Sequence, residues 1–271
     1  MKILITGSSG FVGMHLAKKL STKHEVVGYD LKSGQDVLNE RLLLKKLSDV
    51  DLVIHLAAFI STKESWKKPK KYFVNNSLGT LSVIKNSIHA GVKKVIFFSS
   101  AAVKTEPFTP YSVSKRSAEE IINLYSNDIE SIIIRPENIY GTGQKKEYGY
   151  VIHNFIKAIK EGKPVTIYGN GLQTRDFIYI DDVVDPVSEL VNKGILGGPL
   201  SLGTGHPVKI KDLALFIGKL LKMPVKINYE AARIEPKSSF ADTSTLAKVG
   251  INSSKFLSLQ KGIIKLMSQL P

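Results

Sequence analysis

Short apolar segments rich in β-branched residues recur along the first half of this chain, and they constrain its fold more than any other feature. Helix-like stretches such as residues 11–20 and 75–91 lie between them. The apolar segments are KILIT (2–6), EVVGY (25–29), DLVIHLA (51–57), KKVIFFSS (93–100) and ESIIIRP (130–136). Continuous apolar strands that alternate with helices are typical of a parallel sheet covered on both faces. The sequence therefore predicts an α/β fold with a doubly wound, Rossmann-type parallel sheet.

The pattern changes after about residue 140, where glycine-rich turns separate shorter elements. These turns are YGTGQ (140–144), GNGLQ (169–173) and GGPL (197–200). We interpret residues 1–140 as a first domain and residues 141–271 as a smaller, interleaved C-terminal lobe. A segment near residues 172–192 is expected to return to the first domain.

The charge balance is strongly basic. The 271 residues include 38 Lys and Arg against 24 Asp and Glu, which gives a formal net charge of +14. Such a charge can attract nucleic acid, an anionic membrane surface or phosphorylated small molecules. The lysines are scattered over predicted helices, which favours a solvated surface, so we do not expect nucleic acid as a partner.

Three features that the sequence lacks exclude several classes of protein. Cysteine does not occur, so we expect neither a disulfide framework nor a thiolate metal site, and we predict no metal. No stretch approaches 18 apolar residues, and the N-terminus has no signal-peptide pattern. We therefore expect a cytoplasmic protein with no membrane-spanning segment and no membrane partner.

A glycine-rich segment follows the first predicted strand. ITGSSGFVG (5–13) places Gly7, Gly10 and Gly13 where a tight turn lets backbone approach a pyrophosphate at the positive end of a helix. Asp30 ends the second strand about 20 residues on, where a carboxylate accepts hydrogen bonds from the adenosine ribose. A carboxylate there repels a 2′-phosphate, so NAD is favoured over NADP, although Lys32 leaves NADP open. The alternatives are a plain glycine turn and a capping role for Asp30.

A tyrosine and a lysine four residues apart suggest the chemistry. Tyr111 and Lys115 in PYSVSK (110–115) share one face if this segment is helical. Ser99 and Ser100 follow a predicted strand, at the sheet edge where ligands bind. A phenol is a weak base at pH 7, and lowering its pKa from 10 to 7 requires about 4 kcal/mol. We predict that Lys115 and an oxidised nicotinamide lower that pKa, so that Tyr111 removes a proton from a substrate hydroxyl. The alternative is a tyrosine packed on a surface lysine.

Ten motifs in order extend from one end of the chain almost to the other. They are TGSSGFVG (6–13), Asp30, Asp36-Val37, HLAA (55–58), NSLGT (76–80), SSAAV (99–103), PYSVSK (110–115), RPENIYG (135–141), PVTIYGNGLQTRDFIYIDDVV (164–184) and RIEPKSSFAD (233–242). In these motifs the chain resembles the extended short-chain dehydrogenase/reductase family. The resemblance is to its NAD-dependent nucleotide-sugar epimerase/dehydratase branch, which includes UDP-glucose 4-epimerases.

The resemblance implies a role for individual residues. It implies that residues 1–140 bind the dinucleotide and that residues 141–271 bind a nucleotide-diphosphate sugar. The implied catalytic residues are Ser100, Tyr111 and Lys115. The implied NAD contacts are Gly7, Gly10, Phe11, Val12, Gly13, Asp30, Asp36, Val37, Leu56, Ala57, Ala58, Asn76, Ser99, Tyr111, Lys115 and Pro136. The implied substrate contacts are Ser100, Asn138, Arg175 and Arg233, with the arginines at the diphosphate. An ion pair between Arg175 and a carboxylate such as Asp176 is the alternative for that arginine.

Three departures from the family pattern bear on the substrate. Only seven residues, 104–110, separate Val103 from Tyr111, which predicts a more open sugar pocket. Ala101 and Ala102 occupy the positions at which dehydratases usually carry an Asp-Glu pair, which argues against 4,6-dehydration. Tyr150 replaces a common asparagine, which alters some predicted substrate contacts.

The expected function is reversible hydride chemistry at a sugar carbon. We favour 4-epimerisation of a UDP-hexose through a transient 4-keto sugar, in a homodimer paired through the helix that carries Tyr111. A 4-keto reductase or a dehydrogenase fits the same residues. A relative that senses dinucleotide or binds RNA without catalysis is the alternative from another class.

Overall fold

The computed structural model describes residues 1–144, 150–194 and 197–269. The chain divides into two compact units. The first comprises Met1–Val103, Phe108–Pro136 and Val184–Leu200, and the second comprises Lys104–Pro107, Glu137–Val183 and Ser201–Pro271. The sequence predicted that the first domain ends at residue 140 and that a segment near residues 172–192 returns to it. In the structure the first unit is interrupted after Pro136 and resumes at Val184–Leu200.

Strands and helices alternate regularly in the first unit and less regularly afterwards. The strands are β1 (Lys2–Thr6), β2 (Glu25–Tyr29), β3 (Leu52–His55), β4 (Lys94–Phe98), β5 (Glu130–Pro136), β6 (Asn138–Tyr140), β7 (Val165–Tyr168), β8 (Thr174–Arg175), β9 (Phe177–Tyr179), β10 (Leu200–Leu202), β11 (Val208–Lys209), β12 (Ile227–Glu230) and β13 (Ser238–Ser239). The α-helices are α1 (Phe11–Leu20), α2 (Glu40–Lys46), α3 (Thr62–Lys67), α4 (Pro69–Tyr72), α5 (Gly79–His89), α6 (Pro110–Leu124), α7 (Val151–Lys160), α8 (Asp181–Lys193), α9 (Ile210–Leu221), α10 (Ser244–Ala247) and α11 (Leu259–Ser268).

The main sheet has the strand order β10-β5-β4-β3-β1-β2. Strands β1 and β2, β1 and β3, β3 and β4, and β4 and β5 pair in parallel. Because β2 and β3 lie on opposite sides of β1, the strand order reverses at β1, and in open α/β sheets ligands bind beside such a point. The predicted doubly wound Rossmann-type fold is confirmed.

The core explains why the apolar segments form the central strands. Every residue of β3 is buried, and so are all but the first residue of β1 and of β4. Leu4, Val53 and Phe97 of these strands belong to one cluster with Ala118 and Ile122 of α6. Burial of apolar side chains contributes about 25 cal/mol per Å². This packing fixes α6 against the sheet.

Helix α6 begins with a reciprocal hydrogen-bonded cap. The Thr109 hydroxyl accepts a hydrogen bond from the Ser112 N–H at 3.2 Å, and the Ser112 hydroxyl accepts one from the Thr109 N–H at 2.8 Å. Pro110 occupies the first turn. This reciprocal cap satisfies donors that the helix itself leaves unpaired, and it sets the position of Tyr111 in the first turn.

The second unit contains small sheets joined by a buried carboxylate. β6 pairs with β9, β7 with β12, and β8 with both β11 and β13. Asp176, between β8 and β9, accepts hydrogen bonds from the N–H groups of Thr204 at 3.1 Å, Gly205 at 2.8 Å and Ala241 at 3.2 Å. One side chain thus holds two separate segments, at residues 204–205 and 241, against the β8–β9 connection. Across the described residues, no helix is long and apolar enough to cross a membrane.

Candidate active site

The turn after β1 requires glycine for steric reasons. Gly7 has a φ of 72°, and its N–H donates to the Tyr29 carbonyl at 2.8 Å. A Cβ on Gly7 would lie 2.8 Å from the Ala57 nitrogen, and a Cβ on Gly13 would lie 2.3 Å from the Gly7 carbonyl oxygen. The turn therefore packs backbone on backbone, with no room for a side chain.

The same turn presents the N-terminus of α1 without a side-chain cap. Gly10 is the capping residue, and α1 has no acidic side chain in its first turn. The first N–H groups of a helix lack partners within the helix and carry partial positive charge. This geometry fits a pyrophosphate. The contacts of Gly10, Phe11, Val12 and Gly13 with NAD stay predictions.

Gly13→Ala is expected to remove measurable NAD binding at micromolar cofactor, because the new methyl group must displace the Gly7 carbonyl. Gly91→Ala is the matched control. Gly91 also lies in the first unit, with a φ of 79° and nothing within 4 Å of its added Cβ, so it should lose only about 1–2 kcal/mol of stability. Isothermal titration with NAD would compare the two, and unchanged affinity in Gly13→Ala would contradict the assignment of this turn.

Asp30 links the end of β2 to the glycine turn. Its carboxylate accepts a hydrogen bond from the Ser9 N–H at 2.8 Å and another from the Lys32 N–H at 2.9 Å. The Lys32 ammonium donates to the Ser9 carbonyl at 3.1 Å. Asp30 thus caps the short 3₁₀ turn at residues 31–33. A carboxylate has about four acceptor sites, so this cap is compatible with the predicted ribose contact.

The other predicted adenine-side residues lie just beyond β2. The Tyr29 hydroxyl donates to the Asp36 carbonyl at 2.8 Å. The buried Val37 accepts a hydrogen bond at its carbonyl from the Ser82 hydroxyl at 2.6 Å. Both residues are held by side chains from neighbouring elements, and their contact with NAD stays a prediction.

Ser100, Tyr111 and Lys115 come together at the carboxyl end of β4. The side chains of Tyr111 and Ser100 are hydrogen-bonded. The Lys115 ammonium, whose residue is 2% exposed, donates to the Phe98 carbonyl at 2.6 Å. It also lies 4.2 Å from the centroid of the Phe97 ring. The sequence alternative of a surface tyrosine on a lysine stem is wrong, because Lys115 is buried.

The protonation of this pair differs from the sequence-based expectation. Burial raises the pKa of Tyr111, the hydrogen bond from Ser100 lowers it, and Tyr72 raises it. Burial also lowers the pKa of Lys115 to about 7, against the opposing effect of Glu119. The expected lowering of the Tyr111 pKa by Lys115 is therefore not found among the protein groups. A bound pyridinium would have to supply the missing positive charge.

Buried hydrogen bonds connect Thr6, His55 and Thr80 next to the glycine turn, and the sequence did not predict them. We call them the hydrogen-bond row. The Thr6 hydroxyl accepts from the N–H groups of Leu56 and Ala57, each at 3.2 Å, and lies 2.6 Å from Nδ1 of His55. Nε2 of His55 lies 3.0 Å from the Thr80 hydroxyl, which donates to the Asn76 carbonyl at 2.6 Å. The HLAA motif includes His55, but nothing in the sequence indicated that Thr6 and Thr80 are its hydrogen-bond partners.

The direction of each bond in this row follows from donor counting. Because the Thr6 oxygen already accepts two N–H groups, its single O–H must donate to Nδ1 of His55. Nε2 then carries the proton and donates to Thr80. Burial, with the charge of Lys115, lowers the pKa of His55 to about 3. His55 is therefore neutral at physiological pH and positions Leu56 and Ala57, two predicted NAD contacts.

Asn76 lies in a π-helical turn at Phe73–Leu78, a feature often found at functional sites. Its amide nitrogen donates to the Phe59 carbonyl and to the Ser114 hydroxyl, each at 3.0 Å. Its amide oxygen accepts from the Phe59 N–H at 2.9 Å and from Asn75 at 3.1 Å. These bonds connect the loop after β3 to α6, so Asn76 positions the site. The predicted contact of Asn76 with NAD stays a prediction.

The remaining predicted cofactor residues line the ends of β3, β4 and β5. The Ser99 hydroxyl is buried and has no hydrogen-bond partner within the described part of the chain. An unpaired buried hydroxyl is costly, and a ligand contact would satisfy it. Ala58 follows β3, and Pro136 ends β5.

The predicted substrate residues Asn138, Arg175 and Arg233 belong to the second unit. The Asn138 side chain donates to the Asp176 carbonyl at 2.9 Å. Arg175 donates to Glu235 at 2.5 Å, so its carboxylate partner is Glu235 and not Asp176. The exposed Arg233 stacks on the Tyr168 ring at 3.1 Å from the centroid.

One half-buried carboxyl beside these residues was not predicted. Glu137 accepts a hydrogen bond from the Ser239 hydroxyl at 2.6 Å, and burial raises its pKa to about 7.

Within the described ranges, no group of three or more His, Asp or Glu side chains could hold a metal ion.

The fold and the site define a dinucleotide-dependent α/β protein in which Ser100 and Tyr111 accompany a buried lysine. The chain belongs to the NAD dependent epimerase/dehydratase family, because the model of that family matches residues 3–202. The resemblance found in the sequence is thus confirmed at the level of the family.

Known proteins of this family match most of the chain. UDP-glucose 4-epimerase of Mycolicibacterium smegmatis is 28% identical, over 98% of this chain and 97% of its own. dTDP-D-glucose 4,6-dehydratase of Dictyostelium discoideum is 31% identical over 79% of this chain, which spans 60% of that relative's length. Bacillus cereus UDP-glucuronic acid 4-epimerase, in complex with UDP-glucuronic acid and NAD, is 31% identical with a TM-score of 0.88, over 99% of this chain and 98% of its own.

Proposed function

We propose that this protein is an NAD-dependent nucleotide-sugar epimerase that inverts C4 of a UDP-hexose through a 4-keto sugar. The observation that carries the proposal is the hydrogen bond between Tyr111 and Ser100, with the buried Lys115 one helical turn away at the end of β4. Relatives whose names specify UDP-sugar 4-epimerases support the substrate class.

The residues of the chain would act on one hydroxyl of the sugar. Tyr111 would take its proton as the C–H bond at the same carbon breaks, and Ser100 would hold the oxygen by a hydrogen bond. NAD, when bound, would supply the acceptor for the hydride and, after rotation of the 4-keto sugar, the hydride for the opposite face. Lys115 would hold the nicotinamide ribose, and Tyr111 would return the proton to the 4-keto oxygen.

The neighbouring residues favour epimerisation over dehydration. Elimination of water across C5 and C6 needs an additional acid and base beside the ring. Ala101 and Ala102 follow Ser100 in the chain and can supply neither. The similarity to a 4,6-dehydratase therefore does not extend to the residues that elimination would need.

Incubation with NAD and single UDP-sugars tests the proposal. Proton NMR of UDP-glucose, UDP-glucuronate or UDP-N-acetylglucosamine is expected to show the 4-epimer of at least one, without net NADH. Net NADH on a sugar would favour the dehydrogenase alternative. Absence of turnover with every pair, together with tight, salt-sensitive RNA binding, would favour the non-catalytic alternative.

We further infer that two copies pair through α6 and the neighbouring α5, in the cytoplasm. Val113 and Leu124 of α6 are exposed apolar residues, which supports an apolar contact on this helix. Sedimentation equilibrium is expected to give a dimer, and a monomer at tens of micromolar would contradict the pairing.

A further inference from the structure

An exposed tryptophan surrounded by lysines marks a surface that the proposed chemistry does not use. Trp66 of α3 is 52% exposed, and the apolar residues Ile60 and Phe73 at the two ends of the segment are 45% and 37% exposed. We call the exposed side chains of residues 60–73 the lysine–tryptophan surface. Its five exposed lysines are Lys63, Lys67, Lys68, Lys70 and Lys71.

A rigid scaffold holds this surface. The Ser61 hydroxyl caps α3 by accepting the Glu64 N–H at 3.2 Å. The Tyr72 hydroxyl, at the end of α4, donates back to the Ser61 carbonyl at 2.7 Å. Tyr72 is buried, and its ring packs against Phe59 with the centroids 5.9 Å apart. The two short helices therefore form a closed hairpin with both ends fixed.

The hairpin directs its cations outward together with the indole. Ser65 is buried, whereas Lys63, Trp66 and Lys67 are exposed. Positions three and four apart on a helix are neighbours, so Lys63 lies beside the indole of Trp66 on α3. The single carboxylate of the segment, Glu64, is 3.4 Å from Lys68, which leaves the surface with an excess of four positive charges over residues 60–73.

We propose that the lysine–tryptophan surface docks the protein on an anionic lipid surface. Indole rings favour the headgroup region of a bilayer, and clustered lysines are attracted by anionic lipids. Residues 60–73 contain no Arg, Asn or Gln, the side chains that most often read base edges or grip phosphate by two bonds. The composition thus fits a charged, apolar interface better than a nucleic acid.

This proposal revises one sequence-based expectation. A membrane partner was not expected because no segment is apolar enough to span a bilayer. A short structure that lies on the membrane surface requires only interfacial apolar side chains and basic charge. The proposal is independent of the proposed reaction, because none of its residues is placed in the catalytic group.

The single tryptophan of the chain makes the test specific, since Trp66 is the only source of tryptophan fluorescence. Vesicles of equal phosphatidylglycerol and phosphatidylcholine are expected to shift the emission to the blue and to sediment the protein. Phosphatidylcholine vesicles should do neither, and high salt should reverse the binding. Brominated acyl chains should quench the emission.

Charge variants separate this surface from the overall basic charge. Replacement of Lys63, Lys67, Lys70 and Lys71 by Gln is expected to weaken partitioning at least about tenfold. The matched control replaces four exposed lysines of the second unit by Gln, namely Lys219, Lys222, Lys226 and Lys237. NAD titration of each variant verifies that it is folded.

The proposal would be overturned by no vesicle binding, by equal binding to neutral vesicles, by equal loss in the control variant, or by RNA binding that competes with vesicles. A blue shift that depends on protein concentration without lipid would also overturn it, because a second copy would then cover the surface. None of these readouts requires turnover, so they are independent of the proposed epimerase activity.

Discussion

Tyr111→Phe is expected to lower turnover of the UDP-sugar by about 10²–10⁴-fold while NAD remains bound. The substitution removes only the hydroxyl that is hydrogen-bonded to Ser100. The ring would keep its edge-to-face contact with Tyr72, whose centroid is 6.4 Å away. Single-turnover assays with the preferred sugar, alongside NAD titration, would measure the two effects separately.

Tyr125→Phe, at the other end of α6, provides the control because it removes a hydroxyl from the same helix. Its turnover should match that of the unaltered protein. If Tyr111→Phe also retained its rate, the proton would have to be moved by another group, and the proposed chemistry would fail.

Lys115→Met is expected to have opposite effects on activity and stability. Turnover should fall at least about 10²-fold, because the cation that is proposed to hold the nicotinamide ribose is lost. Stability should rise at pH 6, because the folded protein no longer buries a charged amine. Burial lowers the pKa of Lys115 from 10.5 to about 7, which corresponds to a cost of up to about 5 kcal/mol. Loss of the hydrogen bond to Phe98 offsets about 1 kcal/mol or more of the gain.

The pH dependence of this gain has a definite sign. Between pH 7 and 10.5 the unfolded chain holds the lysine proton and the folded protein does not, so the free energy of unfolding rises with pH in that window. The destabilisation that the buried Lys115 causes is therefore largest below about pH 7, and it disappears towards pH 10.5. Urea unfolding of Lys115→Met and of the unaltered protein should converge as the pH is raised.

Arg116→Met removes an exposed cation from the next position of α6 and is the matched control. It should change stability by less than about 0.5 kcal/mol at either pH. Equal stability of Lys115→Met and the unaltered protein at pH 6 would contradict the burial of a charged amine at this position.

Local sequence patterns predicted the parts of the protein that depend on local geometry. Gly7, Gly10 and Gly13 follow from the steric needs of one turn. The common face of Tyr111 and Lys115 follows from the helical repeat. The apolar segments predicted the parallel sheet, because a strand that is buried on both faces has apolar residues at successive positions and not at every second one.

Contacts between distant segments could not be predicted in this way. Arg175 pairs with Glu235, 60 positions away, although Asp176 is its neighbour in the chain. The pKa of Tyr111 is set first by burial, a property of the assembled fold that the four-residue spacing to Lys115 does not contain. The partners of Asn76, Phe59 and Ser114, likewise come from two different segments.

The hydrogen-bond row through Thr6, His55 and Thr80 has a consequence for sequence variation. Each hydrogen in the row points the same way, because two backbone N–H groups dictate the orientation at its start. Reversing one bond would require reversing its neighbours. Natural variants of this chain should therefore exchange these three positions together, as one inherited unit, and isolated replacements among them should be rare.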